Sequence, residues 1–443
     1  MSEETPSVQS DGPDLELLRK IRVQLDQLRN DRDHYIKASD IEGLFLSLNS
    51  DAHVRETDLQ NISGDSVLPT GDKNKTPFSL LLEEVLLLLS LSYMTIGKNN
   101  ELPAVYSSLF VIKTLLYHLK NAGAYSRQDL KALEAKFDDS DRIIENGKEK
   151  YGKMWFEFFK SQLEDCRQSL VPVKQNLDGL SPQLDPLYEK LVSLVRQITA
   201  AGSRPKVVLS EIKELQEKLN EVESSRVEGC FLAPDGTIPE GQQFVNDLLQ
   251  KCQFVADSIL SNSLRVDPNL SDLHDELVGI KGKLEQLMLT QAWSMRETDL
   301  FDLLKQLRGL DGLRVDDRFV GTDGASPEEG QKILLYLLRK SYALIYELLY
   351  SSKPISESLQ PIFNQLSTLK KCLLEVQRSG GVSSARELFP FSIKLASIDN
   401  LRNSKDGAFH VGAEIPEGQG AVNSLLEECY EICHGLRCQV EDQ

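Results

Sequence analysis

Residues 184–194 read Leu-Asp-Pro-Leu-Tyr-Glu-Lys-Leu-Val-Ser-Leu, which sets Leu184, Leu187, Leu191 and Leu194 at intervals of three, four and three. Those intervals align four aliphatic side chains on one face of an α-helix, whereas a strand would send successive members to opposite faces. The spacing recurs in Leu18, Ile21, Leu25, Leu28; in Leu102, Val105, Leu109, Ile112; in Leu270, Leu273, Leu277, Ile280; and in Leu359, Ile362, Leu366, Leu369. The five sets begin at 18, 102, 184, 270 and 359, steps of 84, 82, 86 and 89 residues. Period-two alternation is scarce, so the chain is helical throughout.

Any amphipathic helix can supply such a face, so the period needs a second, unrelated marker. One stretch runs Gly229-Cys230-Phe231, then Ile238-Pro239-Glu240-Gly241-Gln242, Val245-Asn246, Leu248-Leu249 and Cys252. Another runs Gly407-Ala408-Phe409, then Ile415-Pro416-Glu417-Gly418-Gln419, Val422-Asn423, Leu425-Leu426 and Cys429. A looser copy between them has Phe319, then Ser326-Pro327-Glu328-Glu329-Gly330-Gln331, Leu334, Leu337-Leu338 and Ser341. The glutamines at 242, 331 and 419 stand 89 and 88 residues apart, the same period. A shorter helix recurs between the first and third of each unit, at Ile41/Leu44, Leu130/Leu133, Leu209/Ile212, Leu300/Leu303 and near Leu388.

The expected architecture is therefore all-α, an elongated array of about five degenerate three-helix units, either stacked helical bundles or a short α-solenoid. The units fall at 14–100 with a long loop at 50–75, 101–172, 173–262, 263–352 and 353–438. Residues 1–13 are polar and acidic, carry no secretory or transit signal, and are expected to be a disordered tail. Residues 78–94 are apolar enough to suggest a membrane span, but Glu83 and Glu84 interrupt them, and a helix buried on most sides is expected.

The 443 residues contain 68 acidic and 50 basic side chains, a formal charge of −18. Such a surface repels phosphate backbones and anionic lipid, so neither nucleic acid nor membrane is an expected ligand. Seven thinly spread cysteines fit a reducing compartment. No Gly-rich phosphate loop, zinc-protease helix or nucleophile elbow occurs.

Pro-Glu-Gly-Gln reads first as a helix start, with proline at the first helical position and glutamate complementing the positive end of the helix. A glycine in that first turn costs about 1 kcal/mol against alanine and is explained by close helix packing. As docking points for a partner, the candidate residues are Glu240, Gln242, Glu328, Gln331, Glu417 and Gln419. Cys429, Cys433, His434 and Cys438 invite a metal reading, but one helix cannot turn all four toward one ion, so structural thiols are expected and no metal or cofactor. Trp155, Phe156, Phe158 and Phe159 form the densest aromatic patch, followed by Tyr336, Tyr342, Tyr346 and Tyr350; each reads as core or as a peptide groove.

The Pro-Glu-Gly-Gln elements, Leu-Leu-Leu-Glu-Glu-Val-Leu at 80–86 and Lys-Met-Trp-Phe-Glu at 153–157 together resemble the fungal uncharacterised protein family 0662. That resemblance implies a cytoplasmic and nuclear protein connected to ubiquitin-dependent turnover, and it carries over no functional residue. The expected function is a non-enzymatic scaffold that binds protein partners of basic surface. The alternative is an enzyme or small-ligand binder with a site between bundles, near Trp155 and Cys429.

Overall fold

The computed structural model describes residues 13–49, 54–62, 76–204, 207–233, 236–260, 266–291, 295–321, 323–327 and 330–441. The expected tail, apart from Pro13, which opens the first helix, and much of the 50–75 loop lie outside them. Sixteen α-helices occur among the described residues, and the one ladder is a two-residue hairpin, β1 (Arg314–Val315) with β2 (Arg318–Phe319). The protein is an all-α array of three-helix units.

In unit 1, α1 (Pro13–Asn30) packs on α4 (Pro77–Thr95), with α2 (Ala38–Asn49) beside it and the single turn α3 (Glu56–Gln60) in the connection. Unit 2 holds α5 (Val105–Ala122), α6 (Arg127–Tyr151) and α7 (Lys153–Asp178); unit 3 holds α8 (Asp185–Gly202), α9 (Leu209–Ser224) and α10 (Gln242–Leu260). Unit 4 follows with α11 (Ser271–Gln286), α12 (Leu300–Gly312) and α13 (Gln331–Ser351), and unit 5 with α14 (Gln360–Arg378), α15 (Phe389–Asp399) and α16 (Gln419–Glu441). From unit 2 onward the third helix lies against both the first and the second. The aliphatic sets explain why: Leu109, Leu191, Leu277 and Leu366, the third members, are all buried beneath that third helix. Each buried leucine contributes roughly 1.5–3 kcal/mol by leaving water.

Two expectations about helix length change. The middle helix α6 is longer than α5, because Ser126 and Asp129 cap its start reciprocally and Leu130, Leu133, Phe137 and Ile144 extend one buried stripe. The helix α7 passes through Pro172 to Asp178, beyond the expected unit boundary at 172. The proline forfeits one backbone hydrogen bond, but Val173 and Leu177 beyond it stay buried and hold the helix together. The apolar α4, capped by Thr76 with Pro77 at its first position, is mostly inside the protein, as a core helix should be.

Units 1 to 4 share one continuous hydrophobic core, and unit 5 has its own, centred on Leu366, Leu373, Leu395, Phe409 and Cys429. Contacts also join units distant in sequence. Helix α13 of unit 4 packs on α5 of unit 2, and α12 lies against α4 of unit 1. Arg296 reaches across units to the Asp31 and His34 carbonyls, at 2.6 and 2.9 Å, and its Nε donates to Glu357 at 2.6 Å.

The Pro-Glu-Gly turns precede the helices instead of opening them: α10, α13 and α16 all begin at the glutamine. Pro239 and Pro416 stand three residues before the helix and Pro327 four, so the expected first-position prolines are corrected to turn positions. The glycines explain the shift. Gly241, Gly330 and Gly418 have φ of 95°, 93° and 102°, a backbone only glycine adopts cheaply. They also let the turn touch the entrance of its own unit: a Cβ would lie 2.9 Å from Leu180 Cα at Gly241, 3.2 Å from Val266 Cα at Gly330 and 2.8 Å from Ile355 Cα at Gly418. Backbone bonds complete the contact, from Ser181 N to Glu240 O at 3.1 Å and from Ser356 N to Glu417 O at 3.0 Å.

Alanine at Gly418 should therefore lower unfolding stability by about 2–4 kcal/mol, since strain and steric overlap act together. Alanine at Gly43, inside α2 with nothing within 4 Å of its Cβ position, should instead raise it by roughly 0.5–1 kcal/mol. Denaturant unfolding of the two variants checks both signs.

Candidate partner-binding site

Each glutamine at the head of a third helix folds its side-chain amide back onto the loop before it. Gln331 Nε2 donates to Phe319 O at 2.8 Å and Pro327 O at 3.0 Å, while its Oε1 accepts from Phe319 N at 2.8 Å. Gln242 makes the same three bonds with Phe231 and Pro239, at 2.7, 3.2 and 2.9 Å. Gln419 makes them with Phe409 and Pro416, at 2.8, 3.1 and 2.9 Å. The amide thus stands in for a neighbouring strand and satisfies both polar groups of a phenylalanine whose ring is buried. In units 3 and 4 a tight turn aims that ring, with positive φ at Glu228 and Gly229 and at Asp316 and Asp317.

The six sequence candidates consequently divide. Gln242, Gln331 and Gln419 direct their amides into the protein and are latches for its loops. Glu240 is exposed, Glu417 is exposed beside Lys98 at 3.9 Å, and Glu328 lies outside the described residues. Only the glutamates among the described candidates offer charge to a partner.

A parallel device uses sulfur. Cys252 Sγ donates to Leu191 O at 3.6 Å, Cys429 Sγ to Leu366 O at 3.5 Å and Cys166 Sγ to Leu109 O at 3.7 Å. All three acceptors are third members of the aliphatic sets, which brings unit 2 into the same scheme as units 3 and 5. Burial pushes the thiols up, Cys166 and Cys252 to about 12 and Cys429 to about 11, so none is a ready thiolate. Cys433 lies near the Ser392 hydroxyl, 3.6 Å away, whereas Cys438 and His434 meet each other on the outside. No group of three or more potential metal ligands occurs among the described residues.

A buried polar cluster joins α5 to unit 4. His118 Nε2 lies 2.9 Å from Asp311 Oδ2, Arg314 Nη1 donates to Asp311 Oδ1 at 2.7 Å, and the same guanidinium reaches His118 Nδ1 at 3.4 Å. His118, Asp311 and Arg314 are almost wholly buried. An arginine donor at Nδ1 requires the neutral ring with its proton on Nε2, donated to the carboxylate. Burial, outweighing the Asp311 charge, pushes His118 below its ordinary value, and Arg314 and Arg339 act in the same direction. Burial opposes ionisation of Asp311 too, but the hydrogen bonds of His118 and Arg314 and the charge of Arg314 hold it below the carboxylate range. The cluster cements two units.

Trp155 is fully buried against Phe45, Phe158 and Phe159, its Nε1 donating to Asn49 Oδ1 at 2.8 Å, while Cys429 lies in the separate core of unit 5. The two do not meet, so a site combining them is ruled out. Within the tyrosine stripe, Tyr342 is buried and Tyr350 is exposed and stacked on Tyr346. A cleft of about 490 Å³ does open between α5, α6 and the end of α13, lined by Asn99, Ser108, Lys136, Asn146 and Tyr350 among others. Burial pushes the Lys136 ammonium down, and it sits 5.3 Å from the centre of the Tyr350 ring.

The family described as "Protein of unknown function (DUF2408)" matches two stretches, residues 177–297 and 353–443, which contain the two unbroken Pro-Glu-Gly-Gln copies. The CUB1 family protein C30C2.08 of Schizosaccharomyces pombe is 36% identical over 434 residues, spanning 96% of this chain and 92% of that one. The "Cu(2+) suppressing and bleomycin sensitive protein 1" of Saccharomyces cerevisiae is 31% identical over 501 residues, 97% of this chain and 90% of that one. No solved structure matches.

Two measurements follow. Gln331→Ala leaves the buried N–H of Phe319 without a partner and its C=O with the Ser326 hydroxyl alone, and should cost about 1–3 kcal/mol in denaturant unfolding. For His118 the folded value is depressed, so the unfolded chain takes up the proton first: stability is present above 6.5 and lost as pH falls below it. His118→Gln should shrink the stability difference between about pH 7.5 and about pH 5.5 relative to the parent protein.

Proposed function

The chain belongs to the CUB1 family, and on that premise we propose that it is a non-enzymatic scaffold that binds other proteins. The observation that carries the reading is where the chemically equipped side chains point. The latching glutamines, the packing thiols and the His118–Asp311–Arg314 cluster are consumed in holding helices together, while the surface keeps a net charge of −18. A surplus of that size speeds encounter with basic surfaces and slows it with acidic ones. The exposed carboxylates of Glu240 and Glu417, at the turns of units 3 and 5, belong to that field.

The setting proposed is the cytoplasm and nucleus, in connection with ubiquitin-dependent turnover, as the family resemblance suggests. The cleft at Lys136 favours a second reading, a small-ligand binder: its volume falls in the range of ligand sites, and a half-buried ammonium over a tyrosine ring suits an anionic group. In that cleft Asp139 is already paired with Arg142, which leaves no free acid to act as a base.

Affinity purification of the tagged full chain from its host separates the readings. The scaffold predicts a stoichiometric protein partner whose capture weakens about tenfold or more between low and moderate ionic strength. No protein partner at either ionic strength, together with saturable turnover of a metabolite by the isolated chain, would contradict it.

A further inference from the structure

Units 4 and 5 superimpose in sequence at an offset of 88 residues, the distance from Gln331 to Gln419. At that offset the short 3-10 turn Glu297–Asp299 falls on Ala385–Leu388, and α12 on α15. The buried side of α12, Leu300, Leu307 and Leu310, falls on Leu388, Leu395 and Ile398, all buried as well. The same offset between units 3 and 4 places buried Ile212, Leu215, Leu219 and Val222 of α9 on Leu300, Leu303, Leu307 and Leu310. Three middle helices therefore face their own units alike, and their outer faces can be compared position by position.

In unit 3 the outer face is Lys213, Glu217 and Asn220, polar and exposed, as a solvated helix should be. In unit 4 the equivalent residues are Phe301, Lys305 and Arg308, and a pair of helices from unit 1 packs on this face, burying Phe301 and half-burying Arg308 while Lys305 stays exposed and ion-paired. Phe301 is buried beneath the guanidinium of Arg22, 4.6 Å from the ring centre, Lys305 pairs with Glu84 at 2.7 Å, and Arg308 pairs with Glu83. In unit 5 the residues are Phe389, Ile393 and Ala396. Their character is apolar, yet all three are exposed, Phe389 by 63% and Ile393 by 53%. A solvated role is met by the polar residues of unit 3, so water does not account for an aromatic and a β-branched side chain here.

We propose that the outer face of α15, built by Phe389, Ile393 and Ala396, docks an amphipathic α-helix of a partner protein, as the same face of unit 4 receives the helices of unit 1. The inference rests on the scaffold reading and gives it a place. Phe389 supplies the aromatic anchor and Ile393 the floor one turn on, the i and i+4 pattern that reads a helix laid across another. The exposed charges alongside are Arg386 and Lys394 against Glu387, two positive and one negative, a local +1 in a chain of −18. The docked helix accordingly carries an apolar stripe with carboxylates at its edge, as Glu83 and Glu84 do for unit 4. Long-range attraction by the acidic surface acts on the partner's overall charge, while this contact selects the helix that seats.

The probe is a labelled synthetic amphipathic helix with a leucine stripe and glutamate flanks, titrated against the full chain by fluorescence anisotropy. Saturable binding is expected, weaker for a lysine-flanked counterpart, and reduced at least about tenfold by Phe389→Ser with Ile393→Ser at an unchanged melting temperature. Ala396→Glu should act likewise without disturbing the inner face. Equal binding to parent and double variant, or no binding, overturns the proposal; so does a concentration-dependent dimer in sedimentation that the double variant abolishes, which assigns the face to a second copy. Partner capture from the host then judges the scaffold separately. If parent and double variant retain the same partners, the scaffold stands and the α15 dock falls, whereas a chain that binds the probe but captures no protein loses the scaffold reading.

Discussion

A glutamine side chain carries a donor and an acceptor on one rigid plane, and at Gln242, Gln331 and Gln419 both engage the backbone of a phenylalanine ten to twelve residues earlier. The loops that return from the second helix to the third make only short hairpin pairings within themselves, and their phenylalanine rings are buried. Buried backbone groups must find partners or cost free energy, and the amide supplies both at once. It can do so only if the chain arrives at the helix from a fixed direction. The left-handed glycine just before it sets that direction, pressed against the entrance of the same unit. Aromatic anchor, turn, glycine and helix start form one closed loop, and the sandwiched third helix follows from it.

Between units the cement differs. Units 1 to 4 are joined by a common apolar core and by buried charge, His118 with Asp311 and Arg314, and Arg296 with the Asp31 and His34 carbonyls. Unit 5 packs its own core and meets the rest at narrower contacts, such as Gly97 against Ser356 and Lys98 beside Glu417. An exposed apolar face on the unit with the fewest obligations to its neighbours is where a partner can add to the array with least disturbance.

The period was legible in the residues because two independent demands, an apolar helix face and a loop latch, repeat with the same unit. The role of the latch was not. Pro-Glu-Gly-Gln fits a helix start by composition, and only the positive φ of Gly241, Gly330 and Gly418 shows that the helix begins at the glutamine, three or four residues after the proline. Cys166 could have signalled that unit 2 obeys the scheme, since it lies 57 residues after Leu109 as Cys252 lies 61 after Leu191. The His118 cluster and the seam between units 1 and 4 had no such signal: their members stand 193 to 273 residues apart, and pattern along a chain reports only neighbours within a helix or a repeat. The pattern near Leu388 did not mark Phe389, Ile393 and Ala396 as an outer face, which emerges only beside the counterpart in unit 4.

If the glutamine latch organises these loops, the backbone amides of Phe231, Phe319 and Phe409 are locked although they lie outside helices. Residue-resolved hydrogen exchange on the intact chain measures this directly. The account predicts three slowly exchanging amides with similar protection, each well above the turn residues around it. Exchange of these three at the rate of the neighbouring loop would contradict it, because the amide bonds that define the repeat would then be absent in solution.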